Sequence, residues 1–111
     1  METLIIKSQE QAEKLASDGV LNFEGNIVFK CVIYASWSIT AGGYIEAGES
    51  IEAGGYIKAG GYITAGGSIK AGDDWGISCG FSMRISMQSN ATITARAEPK
   101  NILLGKFVQA A

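Results

Sequence analysis

A chain of 111 residues with 11 acidic and 9 basic side chains, a net charge of −2 and no histidine has room for one domain with a modest core. That near balance of charge argues against a strongly basic nucleic-acid binder, and the lack of histidine excludes Ser–His and Cys–His nucleophile pairs. Cys31 and Cys79 are too few for a four-ligand zinc site, so no metal and no cofactor is expected, and both read as small apolar thiols of a reduced cytoplasmic protein.

In chain order, residues 1–20 read as a strand and a capping helix. "LIIK" is the strand, Ser8 with Gln11 fits a capping box, and "QEQAEKLAS" is the helix, with Ala12, Leu15 and Ala16 as a small apolar face and Gly19 as its stop. This opening turns charged within seven residues, so neither a signal peptide nor a membrane span is expected.

From Leu21 to residue 74 the chain repeats every six residues. Leu21, Ile27, Ile33, Ile39, Ile45, Ile51, Ile57, Ile63 and Ile69 open successive blocks. Two positions on stand Phe23, Phe29 and then Ala35, Ala41, Ala47, Ala53, Ala59, Ala65 and Ala71, with mostly polar residues between. In–out–in over three residues is the parity of a short β-strand. From Ala41 onward each such alanine is followed by glycine, which tolerates corner backbone angles. Short strands with glycine corners, repeated in this way, predict an all-β fold: a short β-solenoid, or parallel β-helix, in which stacking buries what one coil cannot. Period six does not follow the helical spacing, and regular isoleucines do not belong to a disordered linker. Residues 39–56 match the chain shifted by 6, 12 or 18 positions equally well, so self-comparison leaves the coil length open.

The run "AGGYIEAGESIEAGGYIKAGGYITAGGSIKAG" resembles the hexapeptide-repeat family, with the large and small inward positions exchanged. The resemblance implies three sixes per coil, which would stack Tyr44 on Tyr62 and Glu52 on Lys70. Two sixes would stack Tyr44 on Tyr56 and Glu46 on Lys58. Handedness stays open between the left-handed coil of that family and the right-handed coil of bactofilin-like solenoids. The acyltransferase activity of hexapeptide-repeat enzymes is not carried over, because it relies on a histidine base.

Residues 75–111 read as wider terminal coils and a C-terminal strand. Ile77, Cys79, Phe81, Met83, Ile85, Met87, Ala91, Ile93 and Ala95 share one parity, polar residues the other, as in longer strands with one buried face. After Pro99, "NILLGKFVQ" places Leu103 and Leu104 on opposite faces, a strand covered on both sides by the last coil or by another copy. This end is basic, with four cations to one acid over 75–111, whereas 1–44 and 45–74 are both acidic.

No catalytic set emerges, and no enzyme activity is expected. Candidate partner-binding residues are Tyr44, Tyr56 and Tyr62, the acidic group Glu46, Glu49, Glu52, Asp73 and Asp74, and Trp75 in the "DDWG" insertion that breaks the six-step. Corner packing of the tyrosines, solubility for the acids and plugging of a junction by Trp75 are the competing structural roles; Trp37 reads as packing. The repeat style is similar to short glycine-rich proteins of bacteriophage genomes. That resemblance implies a non-catalytic interaction protein that inhibits a host protein or nucleoprotein complex, anti-CRISPR-like, as a homodimer through the C-terminal strand, without membrane or direct nucleic-acid binding. The alternatives are a self-assembling structural solenoid, bactofilin-like, and a nucleotide sponge using Arg84, Arg96, Lys100 and Lys106.

Overall fold

A computed structural model describes residues 2–72, 76–80, 92–95, 99 and 102–109. The chain winds as a parallel β-solenoid whose strands lie on three faces. β1 (Thr3–Ile6) opens face I, helix α1 (Gln9–Leu15) follows, and β2 (Val20–Phe23) opens face III. The strands then visit faces I, II and III in turn: β3 (Asn26–Phe29), β4 (Ile33–Ala35) and β5 (Ser38–Ala41), then β6 (Ile45–Ala47), β7 (Ile51–Ala53) and β8 (Ile57–Ala59). A third round is β9 (Ile63–Ala65), β10 (Ile69–Lys70) and β11 (Ile77–Cys79). β12 (Thr92–Ala95) and β14 (Lys106–Gln109) extend face I, and β13 (Ile102–Leu104) extends face III.

Register settles the coil length. Leu21 pairs with Ile39 and Ile39 with Ile57, Ile27 with Ile45 and Ile45 with Ile63, Ile33 with Ile51 and Ile51 with Ile69. Every step is eighteen residues, three sixes. The block-opening isoleucines from Ile27 to Ile63 are at most 1% exposed, and burying each contributes roughly 1.5–3 kcal/mol. The facing alanines are also buried, which keeps the interior narrow. Beyond β9 the steps lengthen: Ile57 pairs with Ile77 and Ile63 with Ile93. The proposed wide coils and much of their alternating pattern, including Phe81 to Ala91, lie outside the described residues.

Glycine has a different task at the corners from the one expected. Among the described residues, positive φ is found at Asp18, Gly19, Gly80 and Gly105, none of them a corner of the six-residue repeat. Several of the repeat glycines, Gly42, Gly55 and Gly66 among them, give room between coils instead. A Cβ on Gly42 would run into the Glu24 carbonyl below, and one on Gly55 into the Ser38 hydroxyl. That hydroxyl is needed where it is. At three strand starts the preceding residue turns its N–H toward the coil beneath, and a side-chain oxygen meets it there: Tyr44 N–H donates to Asn26 Oδ1 (2.9 Å), Tyr56 N–H to Ser38 Oγ (3.0 Å) and Ser68 N–H to Ser50 Oγ (3.0 Å). One hydrogen-bond device therefore serves all three corners.

The helix starts as its sequence indicates, with the Gln11 N–H donating to Ser8 Oγ at 3.1 Å. It ends at Leu15, and Ala12 is buried while Leu15 is 45% exposed. Gly19 is not its stop. Asp18 and Gly19, both at positive φ, form the tight turn that pairs Ser17 with Val20, the geometry an Asp–Gly pair favours. At the other end Gly105, at φ +119°, passes directly over Cys79 and Ile93. Burial there pushes the Cys79 thiol up to about 11, and both cysteines are free.

Gly55→Ala should destabilise the chain by about 1–3 kcal/mol through overpacking, read as a lower urea midpoint. Ser38→Ala removes the obstructing hydroxyl at the cost of one hydrogen bond. The double variant should therefore lose less than the sum of the two single variants.

Candidate functional site: an aromatic and acidic face

The eighteen-residue register decides which candidate residues meet. Asn26, Tyr44 and Tyr62 occupy the corner before face I, one coil apart. Tyr44 and Tyr62 stack with ring centroids 4.9 Å apart and planes 6° from parallel. In the centre of the neighbouring strands Val28 pairs with Glu46 and Glu46 with Thr64. The Tyr62 hydroxyl donates to Glu46 Oε2 at 2.7 Å, so ring pair and carboxylate form one assembly. Glu46 also borders a shallow groove with Val28, Lys30, Glu49 and Thr64.

The assembly changes the acidity of its phenol. Burial first, then the hydrogen bond to Glu46, the charge of Glu46 and the neighbouring Tyr44 push Tyr62 up to about 12 from 10. Desolvation disfavours the phenolate, and a carboxylate at hydrogen-bond distance opposes a second negative charge. At the next corner, between faces I and II, Cys31 and Glu49 are one coil apart in the eighteen-residue register. Burial and the Glu49 charge raise its thiol pKa, which works against a thiolate nucleophile.

The other candidates lie elsewhere. Glu52 is on face II, stacked between Tyr34 and Lys70 in register, with its carboxylate 3.9 Å from Lys70 Nζ. Tyr56 stands at the corner before face III, where Ser38 lies one coil below, so it does not join Tyr44 and Tyr62. The stacking of Tyr44 on Tyr62 and of Glu52 on Lys70 is the pattern implied by three sixes. Asp73, Asp74 and Trp75 lie outside the described residues, as do Arg84, Arg96 and Lys100. Lys106 is exposed on β14. Trp37 is half-buried and packs against the core.

Tyr34, which sequence reasoning passed over, is 64% exposed on face II. Its signal was present: it fills the outward middle slot of its block, between the inward Ile33 and Ala35. Among the described residues no three His, Cys, Asp or Glu side chains are gathered so as to hold a metal ion, and no helix is long and apolar enough to cross a membrane.

An absorbance titration of the four tyrosines should show one phenol ionising late, toward about 12. Its raised value means that its contribution to stability is present below pH 10 and is lost as pH climbs from 10 toward 12. Glu46→Gln should bring this phenol down, leaving the part of the shift that burial causes. No protein-family model, no curated protein and no solved structure matches this chain.

Proposed function

We propose that this chain is a non-catalytic binding protein that acts by covering the surface of a partner with face I, centred on Tyr44, Tyr62 and Glu46. The single observation that carries the reading is the preorganised assembly itself: two rings held parallel, with a carboxylate fixed at the edge of the pair. Tyrosine offers contact area at a low cost in side-chain entropy, and here much of that cost is met before binding. A flat aromatic pair beside a carboxylate fits a cationic protein surface, because an arginine can stack on a ring and pair with the acid at once. Glu49 adds negative charge at the rim.

In its most specific form the partner is a host protein or nucleoprotein complex in the cytoplasm, and the chain a phage-type inhibitor, possessing a counter-defence role of the anti-CRISPR kind. The support for that form is the repeat style and the rigid surface. Blocking a cationic surface, including one that holds nucleic acid, requires shape and charge but no bond-making step. The alternative is a nucleotide sponge using Arg84, Arg96, Lys100 and Lys106, of which Lys106 is exposed on β14.

The test is capture from a bacterial lysate with the immobilised chain, followed by affinity measurement on the retained partner. Tyr62→Ala and Glu46→Lys should each weaken binding at least tenfold, equivalent to about 1.4 kcal/mol or more, with the circular dichroism spectrum unchanged. Lys70→Ala on face II should bind like the parent. Equal binding by all three variants would remove face I as the contact surface.

A further inference from the structure

The two ends of the stack are built differently. Alternate residues of an edge strand turn their backbone groups outward, where another strand can pair with them. At the N-terminal end each face has such an edge, and on each the chain itself takes up some of the outward groups. On β1 the Glu2 and Ile6 carbonyls accept from the N–H groups of Asn26 and Lys30, so the Ile5 carbonyl and the Lys7 N–H point to the open side. The Gln11 side chain takes both: its amide donates to the Ile5 carbonyl at 3.0 Å and accepts from the Lys7 N–H at 2.8 Å. On β4 the Ile33 N–H and the Ala35 carbonyl are used toward β7. Gln9 donates to the outward Tyr34 carbonyl at 2.8 Å and accepts from its N–H at 3.0 Å. On β2 the outward groups of Val20 are paired both ways with Ser17, at 2.9 and 3.0 Å. Two glutamine amides and one turn stand in for the missing coil.

The C-terminal end has the opposite character. β14 and β13 are the outermost strands of faces I and III, and no described strand pairs with their outer edges. Leu103 (74%), Leu104 (46%) and Val108 (40%) are exposed on these two strands, whereas Ile5, Leu15 and Tyr34, the other large apolar side chains exposed among the described residues, lie at the N-terminal end whose edges the chain interrupts. The inward residues Ile102 and Phe107 are only partly buried.

We infer that a second copy of this chain covers this end, with the two β14 edges pairing antiparallel about a twofold axis so that both face I sheets run on as one. A head-to-tail stack would need continuous open N-terminal edges, which Gln9, Gln11 and Ser17 interrupt on all three faces. A strand edge paired antiparallel with itself is self-complementary under a twofold operation, which closes after two copies. Opposed residues in such a pair point to the same side of the sheet, so only positions of equal parity meet. A twofold axis at Phe107 sets Lys106 of one copy against Val108 of the other, and no lysine faces a lysine. The interface lies apart from Tyr44, Tyr62 and Glu46, so it stands or falls independently of the partner-binding reading.

Light scattering after size exclusion on the full chain, over a hundredfold concentration range, tests this. The expected ceiling is twice the chain mass of 11.7 kDa. Val108→Lys and Leu103→Lys, both at exposed positions that tolerate charge, should shift the dissociation constant at least tenfold toward single chains. The paired change Gln9→Ala with Gln11→Ala should reopen the other end and give species larger than two copies at high concentration. A parent chain that stays single throughout, or grows beyond two copies, would overturn the proposal. So would a dimer indifferent to both lysine variants, and a glutamine double variant that stops at two copies would overturn the end-cap assignment on which the closure rests.

Discussion

In a parallel stack each coil is the hydrogen-bonding partner of the coil below and above it, eighteen residues away, and no coil can meet its own needs. Its outward backbone groups must find a neighbour, and so must its isoleucines, which are buried only because another isoleucine lies over each of them. From this dependence come the smaller features of the sequence. Alanine keeps the interior narrow enough for the isoleucines to touch. Glycine at positions 42 and 55 lets one corner settle onto the corner beneath. Asn26, Ser38 and Ser50 supply the acceptor that a corner N–H would otherwise lack.

The same translation builds the candidate binding surface. Whatever is placed at one position returns one coil later on the same face, at the spacing of neighbouring strands. Two tyrosines at equivalent corners are therefore brought into a parallel stack without any loop having to hold them. Glu46 falls in a column otherwise made of Ile5, Val28, Thr64, Thr94 and Val108, so a single charge sits in a flat, mainly β-branched strip. Its hydrogen bond to Tyr62 fixes both partners. Rigidity of the scaffold becomes rigidity of the site.

Much of this can be read from the residues, and the limits have physical causes. Inward and outward positions follow from parity alone, which is why Ile45, Glu46 and Ala47 could be assigned without coordinates. Coil length could not, because the repeat is too regular: shifts of 6, 12 and 18 are equally good matches. The pairing of Tyr44 with Tyr62 depended on that choice, so the site was legible as residues but not as a constellation. Gly19 follows Asp18, the pair a tight turn prefers, yet it also looks like a helix stop; local chemistry fits both, and tertiary placement decides. The roles of Gln9 and Gln11 were hidden for another reason. A glutamine near a helix start is ordinary, and its bond to a strand twenty-five residues on, as from Gln9 to Tyr34, leaves no periodic trace.

Why glutamine closes the first coil, when a further strand could do so, follows from what an edge is. Another strand would satisfy the outward groups of β1 or β4 and then present an equal row of its own, moving the problem by one coil. A side-chain amide presents an N–H and a carbonyl side by side, much as a peptide group does, and it ends there. It accepts and donates once, on a short helix whose backbone is bonded along its own axis and offers no edge to the next molecule. Two such amides on one turn of helix can close two different faces because their side chains diverge toward β1 and β4, while the Asp18–Gly19 turn folds Ser17 back on the third. A stack terminated in this way has a defined first coil. Among the described residues no strand lies on the outer side of β13 or β14, so on the proposed reading the number of copies would be set at that end of the molecule and the choice of partner by the side of the stack.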